Sequence, residues 1–236
     1  KYLCDYFDFE KFNNLVDGRK AKVITSIAMY YDLDDPSKFA KDVYDSLVDD
    51  GIWVLQLSYT PLMLIQNAFD NIIHEHLEYY TYKSIKYILE KNNFKLLDVE
   101  LNNTNAGSIR IVASKNKNNL EKIPIFNLDI GNLRMESLEA FENNKFPNIK
   151  ESFLNLKNRI NVIKDKTLTL LSDLKKKNKL VVGYGASTKG NTLLQYYGID
   201  DSLINFICER QSQKFGKLTP GSWIKIISDE EMRKIR

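Results

Sequence analysis

The sequence predicts an α/β chain of two units: a parallel sheet that finishes in an antiparallel hairpin and, after a long helix, a second and smaller α/β unit. Three observations carry this expectation. Val23–Met29 and Ile52–Leu57 are continuous apolar runs separated by one helix length, as in a βαβ pair whose first strand is covered on both faces. Phe94–Leu101 and Ser108–Ser114 flank the turn-rich stretch Asn102–Gly107 and read as an antiparallel pair. Far downstream, Lys179–Gly183 runs as a strand into the glycine-rich turn before Gly190.

Taken in order, the chain opens at Lys1 on Tyr2-Leu3-Cys4-Asp5-Tyr6-Phe7, which reads as the end of a buried strand. Such a strand needs a partner, so the sequence is expected to be a fragment lacking its first part. Asp34-Asp35-Pro36 opens a helix, because proline suits a first turn and acidic residues complement the helix dipole. Phe39, Val43, Tyr44 and Leu47 continue it at helical spacing, and Asp49-Asp50-Gly51 is expected to end it. Helices are expected from Pro61 to Phe69 and from about Ser84 to Asn93. Residues 116 to about 132 are polar and read as irregular. Ile149, Phe153, Leu156, Ile160, Ile163, Leu170 and Leu174 then mark one stripe of a long helix. A helix over 189–197, a strand over 203–209, a Pro220-Gly221 turn and a last strand from Trp223 to Ile227 complete the second unit. The expected domains are residues 1–115, a linker with the long helix over 116–178, and residues 179–236.

With 43% hydrophobic and 28% charged residues the chain has a globular composition. No apolar run nears the roughly 20 residues that span a bilayer, so a cytoplasmic location is expected. A net charge of +3 is too small to argue for nucleic acid. Lys175-Lys176-Lys177 and Lys115-Asn116-Lys117-Asn118-Asn119 are read as solvated helix ends and loops. Cys4 and Cys208 make neither a disulfide framework nor a zinc site, and both read as small hydrophobes in apolar strands.

The two histidines of the chain, His74 and His76, flank Glu75. In an extended segment both imidazoles point one way, but a metal would need carboxylates to complete its shell. General base chemistry fits better, because an imidazole steered by a neighbouring carboxylate takes a proton beside a carbonyl at neutral pH. Downstream, Gly183, Gly185 and Gly190 let amides approach a phosphate at a helix start, with Lys189 adding charge. Glu209 ends the next strand, where an acidic residue meets a ribose in dinucleotide sites, although the glycine spacing is not that of the fingerprint.

Phe69–Tyr80, with Asn105-Ala106-Gly107-Ser108-Ile109-Arg110 and Gly183–Gly190 after it, resembles the sugar C-methyltransferases of nucleotide-deoxysugar pathways. The resemblance implies an N-terminal zinc-binding segment, a Rossmann-like S-adenosylmethionine domain ending in the antiparallel hairpin, and a C-terminal α/β domain that holds the nucleotide-sugar. Any zinc would sit in a segment preceding Lys1, with no metal ligands in this chain. The implied substrate is a nucleotide-linked 4-keto-6-deoxy sugar. His76 matches the base that removes the C3 proton, and Glu75 contacts the sugar or orients the imidazole. Ile73 stands where the family often has tyrosine, so Tyr79 or Tyr80 would supply any phenol. Asp5, Tyr6, Ser26 and Met29 are the candidates for the methyl donor. His74, Asn105, Ser108, Gly183, Gly185, Lys189 and Glu209 are those for the substrate. Two rival readings stand beside this one: a nicotinamide-dependent nucleotide-sugar oxidoreductase using the Gly183 loop, and a non-catalytic nucleotide-sugar-binding module.

Overall fold

A computed structural model describes residues 1–115 and 127–235. The chain divides into two compact units, residues 1–66 with 75–152, and residues 67–74 with 153–236. It has the α/β architecture expected.

The first unit contains α1 (Phe9–Leu15), β1 (Ala21–Ile27), α2 (Pro36–Ser46), β2 (Leu47–Ser58), α3 (Thr60–Gln66), α4 (Tyr82–Lys91), β3 (Phe94–Asn102), β4 (Ser108–Lys115) and α5 (Leu128–Lys145). The sheet order is β1-β2-β4-β3. β1 and β2 are parallel, with Val23 opposite Ile52, and β4 runs antiparallel to both β2 and β3. The hairpin is therefore inserted, its second strand lying between β2 and β3. α2 starts as its sequence predicts, with Pro36 in the first turn and the Asp35 side chain accepting from Lys38 N at 2.8 Å. Trp53 anchors the core, its ring 5.2 Å from Phe94 and 5.8 Å from Tyr30.

Several expectations are corrected. Tyr2–Phe7 is not a strand: Tyr2 and Tyr6 are 91% and 88% exposed, and Cys4 is exposed too. The stretch leads into α1, where Asp8 caps Lys11 N at 2.8 Å and Lys11 pairs with Asp5 at 3.0 Å. β1 is not covered on both faces, since Val23 is 52% and Ile27 59% exposed; among the described residues it is also an edge strand. α2 ends at Ser46, before Asp49-Asp50-Gly51, because Leu47 is buried and already pairs with Ala21. The register then jumps to Val23 opposite Ile52, leaving the acidic turn as a bulge inside β2. α3 stops at Gln66, short of Phe69, where Asn67 takes a left-handed φ of 55°. Lys115, read as solvated, is buried at the end of β4, 3.7 Å from Asp49 and 4.7 Å from the Tyr44 ring centre. The rest of that lysine run, and most of the stretch read as irregular, lie outside the described residues. The end of that stretch belongs to α5. Gly131 on α5 packs so close to β3 that a Cβ there would lie 2.0 Å from Leu97 O. A glycine inside a polar helix hides the pattern a sequence reader needs.

The second unit contains α6 (Ile149–Lys176, whose first turn belongs to the first unit), β5 (Val182–Tyr184), α7 (Thr188–Tyr197), β6 (Phe206–Glu209), β7 (Lys225–Ser228) and α8 (Asp229–Lys234). Its sheet, β5-β6-β7, is wholly parallel. α6 buries Leu156 and Ile160 of the expected stripe but leaves Ile149, Ile163 and Leu170 exposed, and buries Leu171, outside that stripe, instead. The helix is roughly 42 Å long at 1.5 Å per residue, far longer than strands of three or four residues. Among the described residues no helix is long and apolar enough to cross a membrane.

Candidate active site

In the first unit, four segments meet where β1 and β2 end. This is the carboxyl end of the parallel strands, the place where open α/β sheets bind ligands. A 3-10 turn, Tyr30–Asp32, follows β1. The chain from Glu75 to Tyr80 is sewn to it: Leu77 N and Glu78 N both donate to Tyr31 O, at 2.9 and 3.1 Å. Thr60 N donates to Tyr80 O at 3.0 Å, fixing the same segment to the end of β2. Tyr59 N donates to Gly107 O at 3.1 Å, bringing in the hairpin turn. Main-chain bonds thus gather Met29, Glu75, His76, Tyr79, Asn105 and Ser108 at one end of one sheet.

His76 is half-buried and Glu75 exposed. The imidazole packs 4.4 Å from the Tyr31 ring at an angle of 55°. Partial desolvation raises the carboxyl of Asp32, and the His76 imidazole opposes that shift. Burial and the Asp32 charge push the Tyr31 phenol up. Tyr79 is half-buried, whereas Tyr80 is buried against Tyr30 at 5.6 Å with no partner for its hydroxyl among the described residues. Of the two tyrosines Tyr79 is the more exposed.

The remaining candidates of this unit differ in how committed they are. Ser26 is buried and its Oγ accepts from Trp53 Nε1 at 3.0 Å. Ser108 Oγ donates to Thr104 O at 2.8 Å. Asn105 is exposed, in a left-handed conformation of φ 51° beside Ala106 at φ 59°. Met29 is half-buried. Asp5 and Tyr6 precede α1, where Asp5 accepts from Tyr6 N at 2.7 Å.

In the second unit the glycine loop closes at the end of β5. Gly185 has φ 93° and donates its N–H to Cys208 O at 2.8 Å. Ser187 caps α7 by accepting from Gly190 N at 3.0 Å. The Glu209 carboxylate accepts from Ala186 N at 2.9 Å and from Arg210 N at 2.7 Å. These amides, with that of Gln211, hold its pKa below the usual carboxylate range. Lys214 Nζ lies 3.6 Å from Glu209 and donates to Ala186 O at 2.8 Å. Lys189 Nζ donates to Asn71 Oδ1 at 2.5 Å, and Asn71 is buried in the stretch that ends at His74. His74 itself is exposed. Asn71 and Tyr31 lie in stretches that the sequence marks, but neither is singled out within them, because each meets a neighbour distant in the chain.

Among the described residues no cluster of three or more His, Cys, Asp or Glu gathers to hold a metal ion. A family model described as "C-methyltransferase C-terminal domain" matches residues 103–236, and one described as "Methyltransferase domain" matches residues 5–99. The chain is 28% identical to the C-methyltransferase NovU of Streptomyces niveus over 186 residues, which cover 78% of this chain and 42% of that protein. It thus spans less than half the length of that relative. Among solved structures, an S-adenosylmethionine-dependent methyltransferase from Clostridium acetobutylicum matches at 14% identity with a TM-score of 0.34, over 41% of this chain and 59% of that one. The magnesium protoporphyrin IX methyltransferase of Synechocystis also matches at 14% identity with a TM-score of 0.34, over 42% of this chain and 46% of that one. The model matching residues 103–236 takes in more than half of the chain, which therefore belongs to the C-methyltransferase family.

Proposed function

We propose that this protein is a cytoplasmic S-adenosylmethionine-dependent C-methyltransferase acting on a nucleotide-linked 4-keto-6-deoxy sugar. The observation that carries the reading is the half-buried imidazole of His76, beside Glu75, at the carboxyl end of the parallel strands of a C-methyltransferase family chain. His76 takes the proton on the carbon next to the sugar ketone. Glu75 orients the imidazole or the sugar, and Tyr79 is the accessible phenol that faces the developing oxyanion. S-adenosylmethionine, when bound, supplies the methyl group that the enolate carbon receives. Among the candidates to hold it, Met29 is half-buried just after β1, whereas Asp5 and Tyr6 are exposed and the Asp5 carboxylate is paired with Lys11. The Ser26 hydroxyl is engaged by Trp53, so Ser26 serves the site by bracing β1.

In the first unit Asn105 and Ser108 are assigned to the sugar; in the second unit His74 is a substrate candidate and Gly183, Gly185 and Lys189 are assigned to the nucleotide phosphates. Glu209 acts on that pocket by shaping its loop. A carboxylate that already accepts several amides and faces Lys214 is poorly placed to grip a ribose diol, which weighs against nicotinamide binding. No role for nucleic acid is proposed.

The test gives the full chain methyl-labelled S-adenosylmethionine and a panel of nucleotide-linked 4-keto-6-deoxy sugars and reads product mass. A gain of one methyl that falls by a factor on the order of 100 to 10,000 in His76→Ala is the expected result. Undiminished product in that variant would sink the base assignment. No methylated sugar despite measurable donor binding would sink the substrate class.

A further inference from the structure

We infer that Tyr31 is the positioning residue for His76, holding the imidazole with its ring and the chain beside it with its carbonyl; this rests on the proposed base role of His76.

Three observations converge on it. The Tyr31 ring lies 4.4 Å from the imidazole, inclined at 55°, which is contact distance for two aromatic rings. The Tyr31 carbonyl accepts from the amides of Leu77 and Glu78, the two residues directly after His76. One residue therefore fixes both the ring and the main chain that carries it. Tyr31 is itself buried and sits in the short 3-10 turn Tyr30–Asp32. Its neighbour Tyr30 lies at the centre of the aromatic core, 5.8 Å from Trp53 and 5.9 Å from Phe39, and donates its hydroxyl to Pro36 O at 2.7 Å. The turn is thus a rigid extension of the core. This support compensates for a weakness of the segment it holds. Residues 72–81 contain neither helix nor strand, so the repeating hydrogen bonds that keep a side chain in place on a regular element are missing around His76. Asp32, in the same turn, places a carboxylate in the field of the imidazole.

A general base must meet its proton within hydrogen-bond reach. An imidazole free to swing would satisfy that condition only part of the time. On this account the phenolic hydroxyl of Tyr31 is dispensable and the ring is not. Tyr31→Phe keeps the ring; Tyr31→Leu keeps an apolar side chain but removes the aromatic face.

The test combines proton NMR of the two histidines with single-turnover methyl transfer. His74→Gln assigns the His76 resonances, since the chain has only two histidines. In the wild type, the His76 ring protons are expected to lie upfield from those of an exposed histidine and to show cross-relaxation with Tyr31. Tyr31→Leu should return them to ordinary positions and slow methyl transfer by a factor on the order of 100, as for a small misplacement of a reacting group, with donor affinity unchanged. Tyr31→Phe should preserve both the shift and the rate. Ordinary His76 shifts in the wild type, or full-rate transfer by Tyr31→Leu, would overturn the inference. If Tyr31→Leu does not fold, the wild-type cross-relaxation and the Tyr31→Phe rate still decide it. Normal His76 shifts in a wild type whose activity survives His76→Ala would instead mark failure of the base assignment.

Discussion

The strand-end cluster of the first unit and the glycine loop of the second are held by opposite means. In the cluster, the main chain holds the side chains: carbonyls of Tyr31, Tyr80 and Gly107 accept amides from neighbouring segments, and His76, Tyr79 and Asn105 sit on that frame. In the loop, side chains hold the main chain: Ser187, Glu209 and Lys214 bind the backbone of residues 186–190. The difference suits the roles proposed for them. A base and its phenol would be side chains that need a backbone scaffold, whereas a phosphate cradle would be made of backbone that side chains shape.

The sharpest way to break the first arrangement is at Gly107, whose carbonyl ties the hairpin turn to Tyr59. Its φ is 108°, and a Cβ there would meet Leu62 Cβ at 2.5 Å, so helix α3 or the turn must move. Gly107→Ala should cost about 3 kcal/mol, adding overpacking to backbone strain. Chemical denaturation would show the loss as a lower midpoint. Methyl transfer should fall even at temperatures where the variant is folded, because Asn105 and Ser108 flank the moved residue. An unchanged midpoint would mean that the turn is not fixed by this contact.

The matching change in the second unit is Glu209→Gln, with a smaller effect confined to binding. The amide keeps one acceptor oxygen and loses the charge facing Lys214, a cost of about 1–2 kcal/mol. The KM for the nucleotide-sugar should rise roughly tenfold for each 1.4 kcal/mol of lost loop order, with kcat little changed. A pH series adds a second reading. The Glu209 carboxyl has its pKa lowered in the folded chain from an ordinary 4.5, so its contribution to stability is present above that value and is lost as pH falls through the folded pKa. Glu209→Gln should therefore flatten the acid side of the stability profile. An acid limb that keeps its slope would show that the amide contacts do not persist in solution.

The sequence was most legible where local chemistry and tertiary structure agree. Asp35-Pro36 announced α2, and the apolar runs announced the parallel pair and the hairpin strands, because capping and continuous apolarity act over a few residues. It was least legible where burial depends on distant partners. Val23–Met29 looks covered on both faces, yet Val23 and Ile27 are exposed, and nothing local reveals what packs on each face of a strand. The aromatic run Tyr2–Phe7 misled in the same way. At the site, His76 stood out as a rare residue type in a distinctive run, whereas Tyr31 is one of 13 tyrosines and is visible only through its ring contact. Glu209 stands out in the sequence by its position at a strand end, but its carboxylate is spent on the amides of the loop.

Ala106 offers the smallest and most specific probe of the strand-end frame. It has φ 59°, next to Asn105 at φ 51° and Gly107 at φ 108°, so three successive residues carry positive φ. Asparagine and glycine tolerate this region; alanine does so at a cost of roughly 1–2 kcal/mol. Ala106→Gly removes that strain and loosens the unfolded chain, which takes back roughly 0.4–1 kcal/mol. The net gain should be about 0.5 kcal/mol, visible as a small rise in the denaturation midpoint. If the strain also pre-sets Asn105 for the sugar, the stabilised variant will show a higher KM for the nucleotide-sugar and an unchanged donor affinity. A more stable variant with wild-type kinetics would mean instead that the turn serves only to lead β3 into β4, and that the sugar is gripped by other residues.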